Sequence, residues 1–398
     1  MLNRNIQEFL WSFVTFNINA REIFYNLNEV EIVQLLEYIE KSRLEGRFLS
    51  FLNSSGLIQG IDSNNLVFGK IKKQAKENSI RALILLDKSI QISSKLEKRR
   101  INHVFLKGLN PLFTGKKFSE RTIRDIDLLV SPTEINEVSE SLQEIGFNFL
   151  NKFQSKKGIR IYPENSKYNF RMINSDGILL ELHYRILINS QETQCKLSRK
   201  ILNLGSNSPQ KILPDMKDLL LLHLIYHGTT KNYFDVGPSF IFDISFLLNE
   251  HIFDLRKISA LSESLGLGKE FEIIIDLLRS KNKDLFICNN EFQTPIDILN
   301  LSEEVMLLEP LNKKIIQVTL SKGFISKITH FRDLLFVSKY EVLQEFQLSE
   351  RNKFLAFFYF LRWIRQFKSF FFLFFTSILR SSTRKRSKKL EHLLDYLS

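Results

Sequence analysis

"RTIRDIDLLV", Arg121–Val130, sets two carboxylates one residue apart and then runs into Leu-Leu-Val. Residues two apart on a β-strand share a face, so Asp125 and Asp127 point one way while Ile126 and Leu128 point the other. Anions spaced about 7 Å along one strand repel each other, which is costly unless solvent or a cation compensates. Mg2+, or Mn2+ in its place, is the natural compensator, because hard divalent ions prefer carboxylate oxygens. The competing reading is an exposed edge strand kept soluble by its acidic residues.

The neighbouring segments extend this strand into an α+β unit over residues 98–190. Upstream, "HVFLKG" is a short β-rich run that ends at Lys107 and Gly108. Downstream, "SPTEINEVSESLQEIGF" reads as a helix with Ser131 or Thr133 near its N-cap and Gly146 near its end. "YNFRMI" and "ILLELHYRI" then flank "NSDG", Asn174–Gly177, a hairpin signal in which Asp-Gly adopts positive φ. In the second of these strands Leu180 and Leu182 take one face, and Glu181 and His183 take the other. Pairing it beside Asp125 and Asp127 brings three carboxylates into one cleft, the number a metal-assisted phosphoryl or nucleotidyl transfer calls for.

Helical periodicity dominates on both sides of this unit. Residues 1–97 hold "EVEIVQLLEYIEKSRLEGRFLSFL" and "NSIRALILLDKSIQISSKLEKRR", and residues 191–379 hold "LLLLHLIYHG" and "FIFDISFLL". Residues 380–398 read as a basic tail. With 36 Phe against 15 Gly and 8 Pro in 398 residues, a helix-rich chain with few tight turns is expected. The apolar patch Phe9–Phe16 follows Glu8 and lacks a small-residue cleavage site, which argues against a signal peptide. Cys195 and Cys288 match no metal spacing and fit a reducing, cytoplasmic setting.

The formal charge of +12 invites a nucleic-acid reading, but half of it sits in Arg380, Arg384, Lys385, Arg386, Lys388 and Lys389. No basic groove interleaved with aromatics is visible elsewhere, which counts against nucleic acid.

The run "FLKGLNPLFTGKKFSERTIRDIDLLV" resembles the uncharacterised nucleotidyltransferase family of bacteria, within the DNA polymerase β-like nucleotidyltransferase superfamily. The likeness is carried by Leu106-Lys107-Gly108, by Arg121 four residues before Asp125, by Asp125–Val130, and by Leu182-His183-Tyr184-Arg185. It spans roughly residues 80–250, taking in "DLLLLHLIYHG" and Asp243 of "FIFDISFLL". The resemblance implies an α+β fold with a small mixed-sheet core flanked by N-terminal and C-terminal helical regions. It also implies transfer of a nucleoside monophosphate from a nucleoside triphosphate to an acceptor, with release of pyrophosphate. Asp125, Asp127 and Glu181 would then hold Mg2+ or Mn2+ and carry the catalysis, with Glu181 also placed to take the acceptor proton. Lys107, Gly108 and Arg121 would bind nucleotide, although Lys107-Gly108 stands where better-known superfamily members carry Gly-Ser. The alternative is a binding or scaffold protein that keeps the fold without catalysis.

Four further residues are candidates for the substrate side: His183, Arg185, His223 and His227. His223 and His227 share a helix face at i, i+4, but the adjacent Glu of a zinc-protease motif is missing. In Phe354–Arg380 the longest uncharged run, Ser369–Leu379, has 11 residues, short of the roughly 20 a spanning helix needs. Residues 354–389 therefore offer either peripheral contact with an anionic inner-membrane surface or a helix buried in its own domain. The acceptor, whether small molecule, peptide or protein, is not legible.

Overall fold

The computed structural model describes residues 2–61, 65–109, 120–149, 169–184, 186, 191–203, 214–232, 234, 237–283, 294–307, 356–364 and 381–397. Residues 1–147 and 162–309 form one compact unit, and residues 148–161 with 310–398 form another.

The first unit opens with the helices α1 (Arg4–Val14), α2 (Ala20–Tyr25), α3 (Glu29–Ser42), α4 (Glu45–Ser54) and α5 (Leu66–Lys98). Local chemistry sets their starts. Asn28 accepts from the Glu31 N–H while Glu31 reaches back to the Asn28 N–H, a reciprocal capping box on α3. Asn65 caps α5 by accepting from the N–H groups of Val67 and Phe68. Along α5 the buried positions Phe68, Ile71, Ala75, Ala82, Leu85, Ser89, Ile92 and Leu96 fall three, four or seven apart, the spacing of one helix face.

The apolar patch at the N-terminus belongs to the core. Phe9 and Phe13 of α1 pack against Phe24, Phe48 and Phe51 at ring-centroid distances of 5.4–6.2 Å. Phe13 also meets Phe242 at 5.4 Å, which fastens α1 to α9 (Pro238–Glu250). Each fully buried Phe contributes about 1.5–3 kcal/mol, so this cluster alone outweighs any single polar interaction in the region.

The sheet is mixed and five-stranded: β1 (His103–Phe105), β2 (Asp125–Val130), β3 (Asn148–Phe149), β4 (Asn169–Ile173) and β5 (Leu179–His183), in the order β1-β2-β5-β4-β3. β1 runs antiparallel to β2, β2 parallel to β5, and β4 antiparallel to β5. The Asn174–Gly177 hairpin forms, but by a different device from the expected pair of positive φ angles. Only Gly177 is left-handed, at φ 75°, and Asn174 Oδ1 accepts from the N–H groups of Asp176 and Ile178 at 3.1 and 2.8 Å. The side chain thus completes the turn that a second positive φ would otherwise make.

The helix after β2 is α6 (Ile135–Glu144), and its N-cap is Glu134 with no side-chain cap. Ser131 and Thr133, the expected caps, hydrogen-bond each other one turn earlier at 2.7 Å. Gly146 closes the far end at φ 91°, as its position predicts. Then come α7 (Gln191–Asn203), α8 (Pro214–Tyr226) and, after α9, α10 (Leu255–Ser264), α11 (Gly268–Lys281) and α12 (Ile296–Leu307). Helices α5 and α7 both pack on β1 and β2.

In the second unit, Ser381–Leu397 is helical, where the charge run alone suggests a solvated tail. Leu390 and Leu393, three apart on one helix face, are fully buried. Residues 356–364 are also helical, whereas Arg365, Gln366 and Ser369–Leu379 lie outside the described residues. Among the described residues no helix is long and apolar enough to cross a membrane.

Candidate active site

The parallel pairing of β2 with β5 decides the site. Its register sets Asp125 beside Leu179, Asp127 beside Glu181 and Leu129 beside His183. Alternation then places Asp125, Asp127, Glu181 and His183 on one face, as the strand reading anticipates. One ligand atom from each of Asp127, Glu181 and His183 lies within 4.8 Å of the others, and all three residues are buried.

His183 Nε2 lies 2.7 Å from Asp127 Oδ1 and 3.6 Å from Glu181 Oε2. Lys107 Nζ donates to the same Asp127 Oδ1 at 2.5 Å. Glu181 Oε1 accepts from Arg171 Nε at 2.9 Å, and Arg171 faces it directly across the β4–β5 ladder. Asp125 is only half-buried, and its carboxylate makes no hydrogen bond among the described residues.

Charge explains the protonation of this cluster. Asp125 is pushed up to about 6, first by burial and then by the Asp127 charge beside it, with Lys107 opposing. Burial also acts to raise Asp127, but the Lys107 ammonium and the His183 hydrogen bond outweigh it and hold the carboxyl far below the usual carboxylate range. Burial acts to lower Lys107, and Asp127 outweighs it, so the ammonium is held above its ordinary value. Three carboxylates thus face two cations, Lys107 and Arg171, and Asp125 bears the shortfall. Two carboxylates with an imidazole, converging in a negatively charged recess, suit a divalent cation. The imidazole disfavours Mg2+, which takes oxygen ligands, relative to transition ions such as Mn2+ that accept a nitrogen donor.

The turn leading out of β1 brings Lys107 here. Lys107–Leu109 forms a 3-10 turn, the Leu106 N–H donates to the Asp127 carbonyl at 2.9 Å, and Lys107 adopts a left-handed φ of 48°. Left-handed backbone is costly for lysine, so tertiary contacts must hold it. One of them is Arg121, whose Nη1 donates to the Gly108 carbonyl at 2.8 Å. The rest of that guanidinium meets Asp243 of α9, through Nε at 3.1 Å and Nη2 at 2.6 Å. Arg47 of α4 also binds Asp243, donates to the Ser239 carbonyl at 2.9 Å, and lies 4.3 Å from the centre of the Phe242 ring. Arg121, a nucleotide-binding candidate on sequence, thus clamps the turn that carries Lys107.

Gly108 has a packing reason of its own. A Cβ at this position would lie 2.8 Å from Cγ2 of the buried Ile123. Gly108→Ala is expected to cost about 1–3 kcal/mol through overpacking, read as a lower urea midpoint with an unchanged slope. Adding Ile123→Val should recover part of that loss, and an unaltered midpoint in Gly108→Ala would refute the close approach.

His223 on α8 and His227, which opens the π-helical turn His227–Lys231, bring their rings to 6.1 Å, and His227 meets Asn232 at 2.9 Å. Neither joins the Asp127–Glu181–His183 group, the one group of three metal-type donors among the described residues. Arg185 and Cys288 lie outside the described residues. Two participants escape sequence reading. Arg171 had a signal, since counting back from the Asn174–Gly177 turn puts it opposite Glu181. Arg47 had none, being 196 residues from its partner.

No curated protein and no solved structure matches the chain. A family model described as an uncharacterised nucleotidyltransferase matches residues 28–280, a span that runs from the first turn of α3 to the last turn of α11 and includes β1, β2, β4 and β5. That match covers well over half of the 398 residues, and the carboxylates it encloses form the recess just described, so the chain belongs to the uncharacterised nucleotidyltransferase family.

Proposed function

We propose that this protein is a metal-dependent nucleotidyltransferase that moves a nucleoside monophosphate from a nucleoside triphosphate to a hydroxyl-type acceptor. The observation that carries this reading is the register of β2 on β5, which sets Asp127 beside Glu181 with His183 on the same face. A divalent cation held by Asp127, Glu181 and His183, with Asp125 beside them, would neutralise the triphosphate and polarise its α-phosphate. The acceptor oxygen attacks the α-phosphorus, the bond to the bridging oxygen breaks, and pyrophosphate leaves with the electron pair.

The chain's own groups divide the remaining work. Arg171 holds Glu181 in place, so its carboxylate needs little reorganisation on ligation. The Asp125 carboxylate makes no side-chain hydrogen bond among the described residues and shares the face of Asp127 and Glu181, which leaves it able to take the proton lost by the acceptor. The sequence reading gives that task to Glu181, whose Oε1 accepts from Arg171 Nε at 2.9 Å. Lys107 stands at the mouth of the recess, one-fifth exposed, where it can meet the phosphates.

Calorimetric titration with ATP, CTP, GTP and UTP tests this without knowledge of the acceptor. At least one nucleotide should bind ten-fold or more tighter with Mn2+ than in EDTA, a gain of about 1.4 kcal/mol. Mn2+ should also outperform Mg2+, and His183→Asn should erase that preference. Metal-independent affinity for all four nucleotides would instead mark a binding protein that keeps the fold without the chemistry.

A further inference from the structure

Lys107 and a bound cation have incompatible claims on one oxygen. The ammonium sits 2.5 Å from Asp127 Oδ1, the oxygen that also meets His183 Nε2 at 2.7 Å, and Asp127 is only 2% exposed. A divalent ion gathered by Asp127, Glu181 and His183 would share this small recess with a like charge, in surroundings that screen poorly. The base of the lysine is pinned, because the left-handed turn is clamped from Gly108 through Arg121 to Asp243. Its ammonium is carried on a flexible four-carbon stem, a point charge that can change partners where a fixed fork could not.

Resting on the metal-dependent reading above, we propose that Lys107 is a built-in counter-ion that closes the cation position until a triphosphate draws it away. Metal and nucleotide then bind as a coupled pair. In the nucleotide-free protein Lys107 neutralises Asp127 and blocks the cation. When triphosphate oxygens arrive, the ammonium exchanges one anionic partner for another, and Asp127 becomes free to ligate the cation. Linkage makes the effect reciprocal: each ligand raises the affinity for the other by the same factor. The same lysine thus serves the nucleotide-binding role that the Lys107-Gly108 turn suggests and also keeps the site from filling with metal alone.

The test uses the full-length protein, Mn2+ alone, and Mn2+ with inorganic triphosphate, which supplies the phosphate chain without choosing a base. By calorimetry, Lys107→Met should bind Mn2+ alone at least about ten-fold tighter than wild type, within the usual range of such couplings. Lys107→Gln, a second charge-free variant, should show the same gain, and Lys107→Arg should not. By thermal melting in EDTA, the charge-free variants should unfold at a lower temperature than wild type and regain that loss when Mn2+ is added. For wild type, Mn2+ with triphosphate should raise the melting temperature by more than the two added separately, and in Lys107→Met that excess should shrink to what direct attraction between cation and phosphates supplies. Equal Mn2+ affinity in wild type and the charge-free variants overturns this inference and leaves the metal-dependent reading standing. Failure of every variant to bind Mn2+, with or without triphosphate, overturns both.

Discussion

Asp127→Asn should lower nucleotidyl transfer by about a thousand-fold or more while the protein still folds. Asp127 is buried and is the shared partner of Lys107 and His183 on the acidic face of β2. Asparagine keeps an oxygen for the His183 hydrogen bond but removes the charge that would anchor a cation. Metal-assisted charge stabilisation amounts to several kcal/mol, and each 1.36 kcal/mol is ten-fold in rate, which sets the thousand-fold scale. Pyrophosphate release against any acceptor that supports turnover provides the readout, with a melting curve to show that structure survives. Wild-type turnover in a well-folded Asp127→Asn would remove this carboxylate from the chemistry.

The largest stability effect is expected at Asp243, far from the strands in sequence. Asp243→Ala leaves the guanidiniums of Arg47 and Arg121 buried without their shared anion, and unpairing a buried charge typically costs about 3–5 kcal/mol. Asp243→Asn, which keeps an acceptor, should lose less. The dependence on pH follows from the same contact. Burial acts to raise the Asp243 carboxyl, yet Arg121 and Arg47 outweigh it and depress its pKa. A depressed folded-state pKa gives stability that is present above the unfolded carboxylate value, about 3.9, and lost as pH falls through the folded value. The gap in urea midpoint between wild type and Asp243→Ala should therefore be widest near neutrality and narrow in acid. A gap that stayed constant from neutral to acidic pH would show that lost packing, rather than the charge, explains the variant.

These two residues differ in how far they can be read from the chain alone. Asp127 announces itself: a carboxylate spaced two from another, inside an otherwise apolar strand, carries a cost that local sequence does not repay. Glu181 is equally legible, since a hairpin turn fixes register and alternation assigns the face. The same counting reaches Arg171. Asp243 looks by contrast like one polar residue in a helix rich in Phe, Ile and Leu, and its partners lie 122 and 196 residues away.

Sequence by itself determined the strand pair, the turn between β4 and β5, the shared face of the acidic residues and the helical flanks, because each follows from periodicity or from turn chemistry within a few residues. Only tertiary structure decided which cation sits on which anion. It set Arg121 against Asp243, gave Lys107 to Asp127, and brought His183 together with Asp127 and Glu181 in one converging donor set. The physical reason is that a buried charge is satisfied by whatever opposite charge the fold brings within about 3 Å, and no local pattern along the chain records that proximity.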